Sequence, residues 1–262
     1  MGLGFSGDVV DFYHRYRRGY PAAAIDAVVA AFGLTRQDVA VDLGCGTGQV
    51  ARPLAARVRA VLGVDPEPDM LTRARQAAGE AGVANLTWLV GADTDVPAIR
   101  ALLGDGSVGA VTIGQALHWM DHERLFRDLV PLVRPGGGVA VLTNGTPLWL
   151  QDSDWSRALR SWLEDRLHTR LTNACGTDEA AQRRYRDALA GTGYRVDTSV
   201  VDYAGTLDVA DVVGGVFSAM MLDQLPAPED RAGVADQIRQ VLAPHGPCVE
   251  RVRVSIVTGR RE

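Results

Sequence analysis

The chain has 262 residues, 47% of them hydrophobic and 23% charged, which is enough apolar material for one large core and too much for a disordered segment. Its net charge is −5 and no basic run concentrates positive potential, which argues against nucleic acid as a partner. All 27 basic residues are arginine, so a Schiff-base lysine, a phosphate-loop lysine and a lysine general base are excluded.

Cys45, Cys175 and Cys248 are far apart and lack the paired spacing of a zinc site or a disulfide framework, so a reduced cytoplasm is the expected setting. No apolar stretch has the length of a signal peptide or a membrane span, and a soluble protein without a membrane partner is expected. The bias toward arginine, alanine, valine and glycine points to a GC-rich bacterial source. Met1-Gly2 followed by Ser6 matches an N-myristoylation pattern, but so short a pattern arises by chance and is set aside.

In chain order, Tyr13, Tyr16 and Tyr20 come first, at helical spacing of three and four, and read as a stripe packing on the rest of the fold. From about Pro21 to Thr143, short apolar runs alternate with amphipathic stretches, the pattern of βαβ units around a parallel sheet. The runs are Val39 to Leu43, Ala60 to Val64, Leu86 to Val90, Val108 to Ile113 and Val139 to Leu142. Being apolar on both faces, they are expected to be strands covered by helices on each side.

Where the first strand should end stands Val41-Asp42-Leu43-Gly44-Cys45-Gly46-Thr47-Gly48. Glycines at alternate positions let the backbone turn sharply and meet a ligand at van der Waals distance. The order is Gly-x-Gly-x-Gly with Gln49 following, which departs from the dinucleotide fingerprint and disfavours a nicotinamide oxidoreductase. Asp42 would repel a pyrophosphate and attract an ammonium group, so the ligand head reads as an amino acid. The next strand closes on Gly63-Val64-Asp65-Pro66, where the two oxygens of Asp65 can accept hydrogen bonds from both hydroxyls of a ribose. Adenosine joined to an amino-acid tail describes S-adenosylmethionine.

Further on, a helix from Asp121 is expected to end at Arg134-Pro135-Gly136-Gly137-Gly138. A polar, tryptophan-bearing segment from Thr146 to Thr172 reads as an insertion over one end of the sheet, followed by a helix near Asp178 to Leu189. Strands at Tyr194 to Tyr203 and Val249 to Thr258 flank a helical segment, and the alternation of Val252, Val254 and Ile256 with Arg251, Arg253 and Ser255 marks the last strand as antiparallel.

The glycine loop and Asp65 resemble the first motif and the ribose-binding acid of class I S-adenosylmethionine-dependent methyltransferases. The resemblance implies a single Rossmann-like, doubly wound α/β domain over 1–262: a mostly parallel sheet, an antiparallel last strand, an N-terminal lid at about 7–33 and helical cap insertions at about 146–175 and 205–243. It also implies that Asp42, Gly44, Cys45, Gly46, Gly48, Asp65, Pro66 and Met70 bind S-adenosylmethionine, which leaves as S-adenosylhomocysteine. Leu89 to Pro97 is similar to the segment that meets adenine; Ala92 stands where an acid is common, so either Asp93 substitutes or the backbone alone holds the base.

The fourth strand leads into Gln115-Ala116-Leu117-His118-Trp119, which by resemblance lies beside the sulfonium, with Gln115 and Ala116 on the cofactor. This run and Tyr13-His14-Arg15-Tyr16-Arg17-Arg18-Gly19-Tyr20-Pro21 are similar to a small-molecule branch that includes trans-aconitate methyltransferase. The resemblance makes the tyrosine stripe a lid, with Tyr16 on the cofactor and Arg17 or Arg18 on its carboxylate. His118 is either a general base, with an ordinary pKa of about 6.5 suited to that task, or a partner of the backbone. Tyr20, His118, Trp119, Trp149 and Phe217 are candidates for lining the pocket of a small-molecule acceptor, although aromatic and methionine stripes also serve as plain core. No metal is expected, because no carboxylate or histidine cluster has ligand spacing. A protein that binds the same cofactor to sense it, or to rearrange a substrate without methyl transfer, would carry the same motifs.

Overall fold

A computed structural model describes residues 4–173 and 175–262; the Met1-Gly2 pattern lies outside them, as do the first residues of the 1–262 domain. Two helices come first, α1 (Asp8–Tyr16) and α2 (Ala22–Phe32). The alternating region follows as β1 (Val39–Leu43), α3 (Ala51–Ala55), β2 (Ala60–Asp65), α4 (Pro68–Glu80), β3 (Leu86–Val90), α5 (Val96–Leu103), β4 (Val108–Gly114), α6 (His122–Leu129) and β5 (Val133–Asn144). The remainder is α7 (Asp154–Leu167), α8 (Glu179–Gly191), β6 (Arg195–Leu207), α9 (Val209–Phe217), α10 (Arg231–Leu242) and β7 (Cys248–Arg260).

The strands form one seven-stranded sheet in the order β3-β2-β1-β4-β5-β7-β6. The pairs among β1 to β5 are parallel, and β7 runs antiparallel to both neighbours, β5 and β6. The Rossmann-like fold and the antiparallel last strand therefore match the sequence expectation. The order reverses at β1 and β4, so the loops after these two strands open beside each other at the carboxyl edge, where open α/β sheets bind ligands.

Two apolar layers cover the sheet. One joins β1, β4 and β5 to α5, α6 and α8 through Ile99, Phe126, Leu129 and Leu189; the other joins the opposite face to α2 and α3 through Ile25, Phe32 and Leu54. The expectation of burial on both faces fails at β3. It is the edge strand, so its outer flank meets solvent and Val90 is 57% exposed. The helix before β5 also ends sooner than expected, at Leu129, because β5 already begins at Val133. Arg134 to Gly138 lies inside that strand as an irregularity, its register passing from Val108 opposite Val133 to Ala110 opposite Gly138.

Helices α7, α9 and α10 pack on one another as a cap around Trp155, Leu159, Val216, Phe217, Met220 and Ile238. Helix starts follow local chemistry: the side chains of Asp121, Asp178 and Asp208 each accept a bond from a first-turn amide of α6, α8 and α9. The Trp155 indole donates to the Val249 carbonyl at 3.0 Å, tying the cap to the start of β7. Among the described residues no helix is long and apolar enough to cross a membrane.

Candidate functional site

The loop after β1 is pinned to β2. The amides of Gly44 and Cys45 both donate to the Val64 carbonyl, at 2.8 and 3.0 Å, and the Gly46 amide donates to Asp65 Oδ2 at 2.8 Å. Gly44 and Gly46 have φ of +69° and +52°, which L side chains rarely adopt. A Cβ on Gly44 would also collide with the Ala116 methyl, so the loop seats directly on the turn after β4.

Behind this loop, Asp42 is 1% exposed and accepts the Thr112 hydroxyl at 2.8 Å through Oδ1, while Oδ2 is enclosed without a partner. Burial raises its pKa to about 7, opposed first by the bond from the Thr112 hydroxyl. Asp65 is also buried, and burial raises its pKa. Each of its oxygens takes a backbone amide, from Gly46 and from Glu67 at 3.0 Å, and each retains lone-pair capacity for a hydroxyl.

At the end of β3, the Ala92 amide donates to Asp95 Oδ2 at 2.8 Å, and Asp93 opens the same short turn. The sequence reading passed over Asp95, whose carboxylate reaches back three residues to the Ala92 amide and closes the turn, and it passed over Trp88. A Cβ on Gly63 would stand 2.5 Å from the Trp88 indole and one on Gly48 3.1 Å, so this ring flanks the loop on the β3 side. Pro66 is partly exposed, whereas Met70 is buried within α4.

From the other side α1 closes on the loop. The hydroxyl end of Tyr13 meets Gly46, and His14 Nδ1 is 3.3 Å from the Thr47 hydroxyl. Tyr16 instead faces the cap, its ring where a Cβ on Gly214 of α9 would be, and Phe12 meets Phe217 edge-on at 5.2 Å. Arg18 is committed elsewhere: it pairs with buried Glu250 at 2.7 Å and donates to the carbonyls of Asn144 and Thr146. Arg17 donates to the Ser218 carbonyl at 3.2 Å and lies over the Tyr13 ring. Tyr20 fits into the core, its hydroxyl end against Gly114 at the tip of β4.

After β4, Gln115 takes φ of +52°, uncommon for a residue with a side chain, and its Oε1 is buried without a partner. His118 follows in a single 3-10 turn, tilted against Trp119 with centroids 5.1 Å apart. Burial, then the nearby Arg17, lowers the His118 pKa. The turn lies against Thr143, Cys175 and Tyr185, with the space between them too tight for a water molecule. Trp119 is 48% exposed at its side, whereas Trp149 and Phe217 pack into the apolar cluster of the cap. Among the described residues no group of three or more His, Cys, Asp or Glu could hold a metal ion.

Residues 41–141 match a family model described as a methyltransferase domain. An uncharacterized methyltransferase of Mycobacterium tuberculosis is 35% identical over 144 residues, 55% of this chain and 53% of that protein. The trans-aconitate 2-methyltransferase of Deinococcus radiodurans is 34% identical over 136 residues, 50% of this chain and 47% of the other. The chain thus spans about half the length of the curated relatives it matches. In three dimensions the YcgJ protein of Bacillus subtilis superposes with a TM-score of 0.56 at 18% identity, over 92% of this chain and 100% of that one. The shared fold therefore extends well beyond the matched segment.

Proposed function

Because residues 41–141 carry a methyltransferase domain, we propose that the protein transfers the methyl group of S-adenosylmethionine to a small-molecule acceptor and releases S-adenosylhomocysteine. The observation that carries this reading is the partnerless Asp42 oxygen behind a loop whose glycines exclude side chains. A buried carboxylate with an unused lone pair complements an ammonium group, and a backbone-lined loop admits a close ligand, so the cradle fits an amino-acid tail.

Asp42 and the stretch Gly44, Cys45, Gly46 and Gly48 would hold that tail, and Asp65 the ribose. Trp88, Pro66, Met70, Ala92, Asp93 and Asp95 would border the base, and Gln115 and Ala116 the reacting end. When bound, the cofactor supplies a methyl carbon made electrophilic by its sulfonium. The chain's own residues position the acceptor and exclude water, which is much of the catalysis of an in-line transfer. His118, kept neutral near pH 7 by its lowered pKa, offers a free ring nitrogen that takes the proton of a hydroxyl or carbon acid. Tyr16, Tyr20, Trp119, Trp149 and Phe217 would shape the acceptor side, the cap residues by fixing the position of α9. Three free cysteines support a reducing cytoplasm, and the bacterial relatives support a bacterial source.

Calorimetric titration with S-adenosylmethionine, S-adenosylhomocysteine and NAD tests the reading. Wild type binds the first two, and Gly46→Arg, which forces a long side chain at positive φ against Tyr13, binds neither. Binding of NAD alone would overturn it, and release of labelled methyl into acceptor pools separates transfer from mere sensing.

A further inference from the structure

The sheet ends on β6, which has β7 on one side and no strand on the other. Its 13 residues pair with β7 from Arg195 opposite Arg260 to Leu207 opposite Cys248 without a break in register, so no bulge bends the edge away, and no proline interrupts it. The Thr258 hydroxyl donates to the Asp197 carbonyl, which therefore faces β7, and along an antiparallel ladder this direction alternates. The backbone of Val196, Thr198, Val200, Asp202, Ala204 and Thr206 thus points outward. Among the described residues this outer flank meets one group, the Asp197 carboxylate, which accepts the Thr198 amide at 2.7 Å. Side chains guard the edge no better. Val200, near its middle, is 49% exposed, and the charge beside it, Asp202, is already held by two Arg253 nitrogens at 2.9 and 3.2 Å.

We propose that β6 is a dimerisation edge: two copies of the chain pair β6 with β6, antiparallel, across a two-fold axis at Val200, and so join two seven-stranded sheets into one. The proposal is independent of the methyltransferase reading. A second copy fits because the strand is its own complement. Only outward-pointing residues exchange backbone bonds across this edge, so the partner strand can slide only in steps of two residues. With the axis at Val200, this residue faces its own copy, Val196 faces Ala204 and Thr198 faces Asp202. Every apolar outward side chain in the pairing then meets an apolar one, and the Thr198 hydroxyl donates to the Asp202 carboxylate of the second copy. A slide of one step either way sets Asp202 against Val200 or Val196, and a second step on one side sets Asp202 against Asp202. Apolar contact and charge therefore select one register, and the same chain supplies both halves of it.

The test is sedimentation of the full chain over a micromolar concentration series, without ligand. Wild type sediments as a dimer at the upper end. Val200→Lys, which sets two like charges on the axis, weakens the dimer about tenfold or more and leaves the circular dichroism of the fold unchanged. A second variant fixes the geometry. Directly opposed residues of a hydrogen-bonded antiparallel pair have Cα atoms about 5.5 Å apart, within disulfide reach, so Val200→Cys forms a covalent dimer under copper–phenanthroline oxidation. Leu102→Cys, at an 80% exposed position on α5, does not. A wild type that stays monomeric throughout the series overturns the proposal. So does a dimer that survives Val200→Lys, or one that Val200→Cys links no better than Leu102→Cys, since either result places the contact elsewhere.

Discussion

Asp42 is the residue whose burial is hardest to explain without a ligand. With its pKa raised to about 7, the folded free protein keeps this carboxyl neutral below neutrality, and each tenfold change in its proton affinity corresponds to about 1.4 kcal/mol. Because the folded value lies above the unfolded one, the stability Asp42 contributes is complete only below the ordinary carboxylate range. It is lost as pH rises toward 7. Asp42→Asn keeps an oxygen for the Thr112 hydroxyl and removes this dependence. Its melting temperature should exceed that of wild type at pH 8 and converge with it near pH 4. S-adenosylmethionine should bind the variant about tenfold or more weakly, because a cationic ammonium loses its carboxylate. A wild-type melting curve indifferent to pH between 4 and 7, with no gain from Asn, would count against this account. Asp42 and the glycine spacing were legible in the sequence because their chemistry is local. Which arginine keeps a free charge was not, since Arg18 and Glu250 stand 232 positions apart and only the fold joins them.

Among the elements, α1 has two working faces. Tyr13 and His14 touch the glycine loop, while Phe12 and Tyr16 touch α9 and Arg17, just past α1, donates to Ser218 beyond the end of α9. Gly214 permits this, because the Tyr16 ring occupies the space a methyl would need. Ala in a helix interior is favoured over Gly by about 1 kcal/mol, but forced overlap in a packed interface costs roughly 1–3 kcal/mol, so the clash should win. Gly214→Ala is expected to lower the denaturation midpoint and to weaken S-adenosylhomocysteine binding by tilting α1 off the loop, and adding Tyr16→Leu should recover part of both. Simple additivity of the two substitutions would deny the contact its role. The helical spacing of Tyr13 and Tyr16 was readable, but their division between loop and cap was not, because it depends on where α9 docks. The Pro135 to Gly138 run resembles a helix stop for a related reason: breakers end helices and also mark strand irregularities, and only pairing with β4 decides between them.

For the whole molecule, the mostly parallel sheet and the antiparallel last strand followed from apolar runs and one alternation, whereas the strand order and the packing of three cap helices left no periodic sign. Since α1 touches both the glycine loop and α9, and Trp155 ties α7 to β7, calorimetry should record one cooperative transition. S-adenosylhomocysteine at a hundred times its dissociation constant should stabilise the fold by about 2.7 kcal/mol and move the entire transition up by roughly 5–10 °C. Two endotherms, only one of them shifted by ligand, would show that cap and sheet unfold independently. The placement of Trp88 has an optical consequence. Its indole flanks the glycine loop through Gly48 and Gly63, while Trp149, Trp155 and Trp162 belong to the cap and Trp119 faces solvent. Ultraviolet emission from that ring is therefore an intrinsic, label-free beacon for a nucleoside arriving at the loop, and Trp88→Phe supplies its silent counterpart.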